Sequence, residues 1–76
     1  MDKLVEFIAR NLVEKPDQVR VRQRRYRERT VLHLRVAKED TGRVIGKQGR
    51  VANAMRAVLH AAAQAQRRPD VELKIQ

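Results

Sequence analysis

Apolar residues recur with two different periods along this chain, and the switches between them mark out six elements. From Asp2 to Glu14, Leu4, Ile8 and Leu12 return every fourth position with Val5 and Phe7 beside them, the stripe of an amphipathic helix. Asp2 is placed to cap its start, and Pro16, which disfavours helical angles at Lys15, ends it near Glu14. The period then becomes two. Between about Gln18 and Tyr26, Val19, Val21 and Gln23 alternate with Arg20, Arg22 and Arg24, which predicts a strand. A second strand is predicted from Thr30 to Ala37, with Leu32, Leu34 and Val36 on one face and Val31, His33 and Arg35 on the other. The charged segment Arg25 to Arg29 connects the two.

Helical spacing returns in the second half. Asp40 is a good N-cap for a short helix that Gly46 terminates. A long helix starts near Gly49, with Val51, Met55, Val58, Ala62 and Ala65 as its buried stripe and Ala54 and Leu59 alongside. Pro69 closes this region, and Val71, Leu73 and Ile75 alternate with Glu72, Lys74 and Gln76 as a last strand. The order is helix, strand, strand, helix, helix, strand, an α+β chain with no repeat, low-complexity tract or dividing linker. A length of 76 residues has room for one small domain.

Charge narrows the partners. The 18 Lys+Arg outnumber the 9 Asp+Glu, a formal net charge of +9 that draws polyanions by counterion release and long-range attraction. An arginine-rich proteome would produce the same excess at solvated positions, so charge alone does not prove a nucleic-acid partner. No apolar run approaches the ~20 residues of a membrane span. The segment Met1 to Arg10 carries Asp2 and Glu6 and has no small-residue cleavage site, so a soluble, cytoplasmic protein is expected. With no cysteine there is neither disulfide bracing nor a thiolate zinc site.

The residues that carry chemistry are Gly46-Lys47-Gln48-Gly49, a G-x-x-G loop between two helices. Glycine adopts backbone angles that other residues resist, and it lets a sugar-phosphate chain approach the peptide groups directly. Amides opening the long helix suit a phosphate, and Lys47, Arg43 and Arg50 add cations around them. Taken alone, such a loop is equally an ordinary helix-turn-helix connection. In context, Gly42-Arg43-Val44-Ile45-Gly46-Lys47-Gln48-Gly49, after a strand and before a helix and strand, resembles the KH domain. The resemblance covers nearly the whole chain, and more narrowly it extends to the stand-alone single-KH proteins of bacteria. The unit from about Thr30 to Gln76 resembles the minimal KH motif. The preceding helix and strand (residues 1–29) imply the type II arrangement, three helices on a three-stranded mixed sheet.

The resemblance implies that Gly46, Lys47, Gln48 and Gly49 clamp the backbone of single-stranded RNA, about four nucleotides in the family. Arg43 and Arg50 would border them, with Gly42 and Val44 shaping one groove wall and Val31, His33 and Arg35 the other. Ile45 would plug the core beneath the loop. With one Phe, one Tyr and no Trp, an aromatic stacking platform is not the binding mode. The row Arg20, Arg22 and Arg24 is either a second electrostatic track or the wet face of a strand. His33 contacts a base or is solvated, and His60 belongs on the exposed side of the long helix. Tyr26 is expected to be partly buried beside a turn. Two isolated histidines are a poor basis for a metal site.

Catalysis is not expected, because the chain has no Ser or Cys nucleophile and no paired carboxylates in an apolar setting. No cofactor, small-molecule substrate or membrane contact is expected. An RNA chaperone or post-transcriptional regulator fits best, with a protein-assembly module or single-stranded DNA binding as alternatives. Because one such domain contacts few bases, a homodimer, or a heterodimer with another KH protein, would raise an otherwise weak affinity.

Overall fold

A computed structural model, which describes residues 1–68 and 70–76, orders the elements as the periodicities require. Among the described residues the α-helices are α1 (Asp2–Leu12), α2 (Thr41–Ile45) and α3 (Arg50–Ala65), and the strands are β1 (Arg20–Arg25), β2 (Arg29–Arg35) and β3 (Asp70–Ile75). The strands form one mixed sheet in the order β1-β2-β3. β1 runs antiparallel to β2, with Val21 opposite Leu34, and β3 runs parallel to β2, with Leu73 opposite Leu32. This is the α+β architecture expected of a type II KH domain.

All three helices bury side chains against one face of the sheet. Leu32 and Leu34 of β2, both inaccessible, meet Val5 and Ala9 of α1, Val44 of α2, and Met55, Leu59 and Ala63 of α3. Val71 and Leu73 close this core from β3. Each large aliphatic side chain so buried contributes about 1.5–3 kcal/mol, which is the main favourable term in a domain this small.

The packing corrects several details of the periodic reading. In α1 the inward positions are Val5 and Ala9, whereas Phe7 is 67% exposed and Leu12 lies at the rim. In α3 the buried series is Ala52, Met55, Leu59 and Ala63, and Val58, expected inside, is exposed. Both series have helical spacing, so a helix with small apolar residues on two faces does not declare which one faces the sheet. α1 ends at Leu12, because Val13 is already extended, and Asp2 occupies the first turn rather than the cap. Arg25 and Arg29 pair within the sheet, which shortens the β1–β2 connection to residues 26–28; there the Arg29 guanidinium lies over the half-exposed Tyr26 ring.

α3 ends by backbone bonding. Arg67 takes a left-handed conformation, its N–H donates to the Gln64 carbonyl, and the Arg68 N–H donates to Ala63. These are the two bonds of a Schellman closure. Pro69, expected to end this region, lies outside the described residues.

Candidate nucleic-acid interface

The G-x-x-G loop contains three departures from right-handed backbone within four residues. Gly46 sits at φ 78°, ψ 170°, Gln48 at φ 58°, ψ 26°, and Gly49 at φ 77°, ψ 12°. The two glycines are required for different reasons. A Cβ on Gly46 would lie 2.4 Å from Val51 Cγ2 and 2.8 Å from the Val51 backbone nitrogen, so the start of α3 packs directly on this residue. A Cβ on Gly49 would meet only Asn53 Nδ2, at 3.8 Å; there the need is conformational. Gln48 adopts left-handed angles without being glycine, a local strain held by the turn that Gly49 N–H closes on the Gly46 carbonyl (3.1 Å).

Lys47, Gln48 and Arg50 lie around this turn, the last two exposed and Lys47 half-buried. Gly49 occupies the N-cap of α3, and no side chain caps that helix. Its first-turn amides are therefore open to an external acceptor. Among the described residues no carboxylate lies within 4.0 Å of Lys47 or Arg50. Arg43 is different. It donates to Glu14 Oε1 at 2.6 Å, and its Nε lies 3.6 Å from Asp40 Oδ1, so its charge is committed to holding α2 against the end of α1.

Asp40 is the centre of that attachment, and its role differs from the expected cap. It stands at the N-cap position of α2 but makes no capping bond. Its buried carboxylate instead accepts the N–H groups of Glu14 and Lys15, both at 3.1 Å. Those amides are left without helical partners because α1 stops at Leu12 and Pro16 prevents its continuation. Lys15 also pairs through its amine with Glu39, and that contact raises the amine and lowers the carboxyl from their ordinary values.

The expected groove walls are rearranged by the structure. Val44 is fully buried and belongs to the core, while its neighbour Ile45, expected in the core, is 37% exposed next to the loop. Gly42 lies in α2 with open space around its missing side chain. Val31, His33 and Arg35 do not join the loop. Their partners in alternation, Leu32 and Leu34, face the helices, so these three face the opposite, helix-free side of the sheet.

On the α3 side of the sheet lies a cleft of about 410 Å³ between α3 and the edge strand β3, lined by Arg56, His60 and the strand from Asp70 to Leu73. A polar chain leads there from the loop. Beyond Gly49 comes Asn53, whose Oδ1 accepts from Arg56 Nη1 at 3.2 Å, and Arg56 Nη2 donates to the Leu73 carbonyl at 3.2 Å. Residues 49, 53, 56 and 60 are spaced to share one helix face. That face was legible as a run of polar positions on α3, but nothing in the sequence showed that β3 would border it.

Comparison with known proteins agrees with this architecture. The family model described as "KhpA/KhpB, KH domain" matches residues 2–75. A protein named RNA-binding protein KhpA from Clostridium perfringens is 52% identical over 63 residues, covering 83% of this chain and 84% of the relative. One of the same name from Borreliella burgdorferi is 42% identical over 72 residues (93% and 88%), and one from Bacillus subtilis is 44% identical over 62 residues (82% and 76%). These relatives are named for RNA binding rather than for a reaction. With the family pattern matched from the first helix to the last strand, the chain belongs to the KhpA/KhpB KH-domain family.

Proposed function

We propose that this protein binds single-stranded RNA, with the sugar-phosphate backbone resting on the Gly46–Gly49 loop. The observation that carries this reading is the uncapped start of α3 beside a loop whose cations have no carboxylate partners among the described residues. Backbone amides and a helix N-terminus satisfy phosphate oxygens without requiring a base identity, so binding is tolerant of sequence. Lys47 and Arg50 neutralise phosphates, and Gln48 donates to phosphate or sugar oxygens. Bases extend along the cleft between α3 and β3, where Asn53, Arg56 and His60 offer hydrogen bonds and Ile45 offers an apolar contact. This mode needs no aromatic platform, in keeping with a chain that has one Phe, one Tyr and no Trp. The names of the relatives support RNA as the partner.

A role as an RNA chaperone or post-transcriptional regulator follows from such tolerant binding. Affinity of one domain is low and salt-dependent, and pairing with a second copy or another KH protein offsets it. The test is Lys47→Asp combined with Gln48→Asp. Neither side chain belongs to the core, and Asp accepts the left-handed angles found at Gln48, so the fold should persist. Binding to oligo(U), followed by fluorescence anisotropy, should then be lost. Retained binding by a folded variant would transfer support to a protein-assembly role. Matched DNA oligomers as competitors separate RNA from single-stranded DNA recognition, and sedimentation with and without RNA tests pairing.

A further inference from the structure

The helix-free face of the sheet is a strongly basic surface that the loop reading leaves unused. Alternation along β1 puts Arg20, Arg22 and Arg24 on it, and strand pairing sets them beside further cations. Arg20 is in register with Arg35, and Arg22 with His33, which is in turn opposite Lys74 of β3. The arginines and Lys74 are all exposed, and the four arginines and His33 line a trough of about 620 Å³. The carboxylates of this face, Asp70 and Glu72, lie toward its other end, where Glu72 is held by Arg29 at 3.3 Å. Among the described residues, Arg22, Arg24, Arg35 and Lys74 have no carboxylate within 4.0 Å.

Folding alone does not explain this arrangement. Like charges directly opposite in a sheet are destabilising, yet Arg20 faces Arg35. Charged side chains on an edge strand deter unwanted pairing, which accounts for cations on β1. It does not account for Arg35, on the central strand. Val31, on the same face and in register with Arg24 and Glu72, is only 3% exposed although no helix covers it. Its burial requires neighbouring side chains to lie along the sheet, which leaves their charged ends pointing outward.

We propose that this face is a second nucleic-acid surface, where Arg20, Arg22, Arg24, Arg35 and Lys74 hold the phosphate backbone of a second RNA segment. Successive arginines on β1 stand about 6.8 Å apart and adjacent strands about 4.8 Å apart, so the cations form a grid able to follow a phosphate chain. Because helices and loop occupy the other side of the sheet, one domain contacts two segments at once and brings two strands together. The inference rests on the reading of the protein as RNA-binding, but not on the G-x-x-G loop as the site.

The test compares Arg20→Gln/Arg22→Gln/Arg24→Gln with Lys47→Asp/Gln48→Asp, using Arg35→Gln/Lys74→Gln as an independent variant should the triple change unsettle β1. Each neutralised phosphate adds about 0.7 to the log–log salt slope for a single strand, so removing three arginines should lower the slope by about 2. A fourfold rise in salt would then weaken the unaltered protein about 16-fold more than the variant on a long oligo(U). The arginine variant should keep binding of a short oligo(U) and lose the ability to speed annealing of two complementary labelled RNA strands. The loop variant should lose the short oligomer while retaining salt-steep binding of the long one. An unchanged slope together with unchanged annealing in both face variants overturns the proposal and makes the face a solvated one. Failure of the loop variant to lose the short oligomer counts against the loop alone.

Discussion

The three glycines, all within eight positions, should respond to alanine in three different ways. Gly42 lies inside α2, and a Cβ there would meet nothing within 4 Å, so Gly42→Ala should stabilise by up to about 1 kcal/mol through reduced backbone freedom. Gly49 has room for a Cβ but a left-handed backbone, and Gly49→Ala should cost about 1–2 kcal/mol. Gly46 combines two penalties. Its φ 78°, ψ 170° lies in a region essentially reserved for glycine, worth about 1–3 kcal/mol. The added methyl also meets the Val51 backbone nitrogen at 2.8 Å, which a rotamer change cannot relieve, and overpacking of this kind adds about 1–3 kcal/mol. The sum, about 2–6 kcal/mol, is a large share of the roughly 4–11 kcal/mol that a domain of this length has. Thermal unfolding followed by circular dichroism reads the order directly, since each kcal/mol moves the midpoint by about 4–8 °C. RNA titration should separate Gly46→Ala, whose loop must shift, from Gly42→Ala, whose loop does not. Equal destabilisation by Gly46→Ala and Gly49→Ala would refute the close approach of α3 to the loop.

Two further sets of substitutions test the attachment and the groove. Asp40→Ala leaves the Glu14 and Lys15 amides without their charged acceptor, and should cost about 2–4 kcal/mol in urea unfolding, given about 1.5–3 for each such bond and the partial burial of the pair. A cost under about 1 kcal/mol, as for an ordinary surface acid, would show that water replaces the carboxylate there. Val44→Ala removes two buried methyl groups and should cost about 2 kcal/mol while leaving RNA affinity intact, whereas Ile45→Asp should leave stability nearly unchanged and weaken RNA binding. The reverse pattern in unfolding and anisotropy measurements would return Ile45 to the core.

The element order, the fold class and the position of the loop are written in the chain itself, because each depends on neighbours a few residues apart. Alternation of Val21 with Arg22, or of Leu32 with His33, fixes which side of a strand is apolar without any knowledge of its partner. The two loop glycines, separated by two polar residues, likewise announce an unusual turn. Which of two equally spaced helix faces is buried is not local information: Val58 and Leu59 are both apolar, and only the position of α3 against β3 selects Leu59. The exchange of roles between Val44 and Ile45 has the same origin, since a helix of five residues is too short for its period to define a direction. Asp40 looked like a cap because capping is a local habit, but the amides it serves lie 25 and 26 positions earlier. The same holds for the cleft. Arg56 reaches the Leu73 carbonyl, and Arg20 comes to face Arg35, only once the strands have paired; sheet register and helix docking are set by the whole core, and they decided what surrounds the loop and what lies behind it.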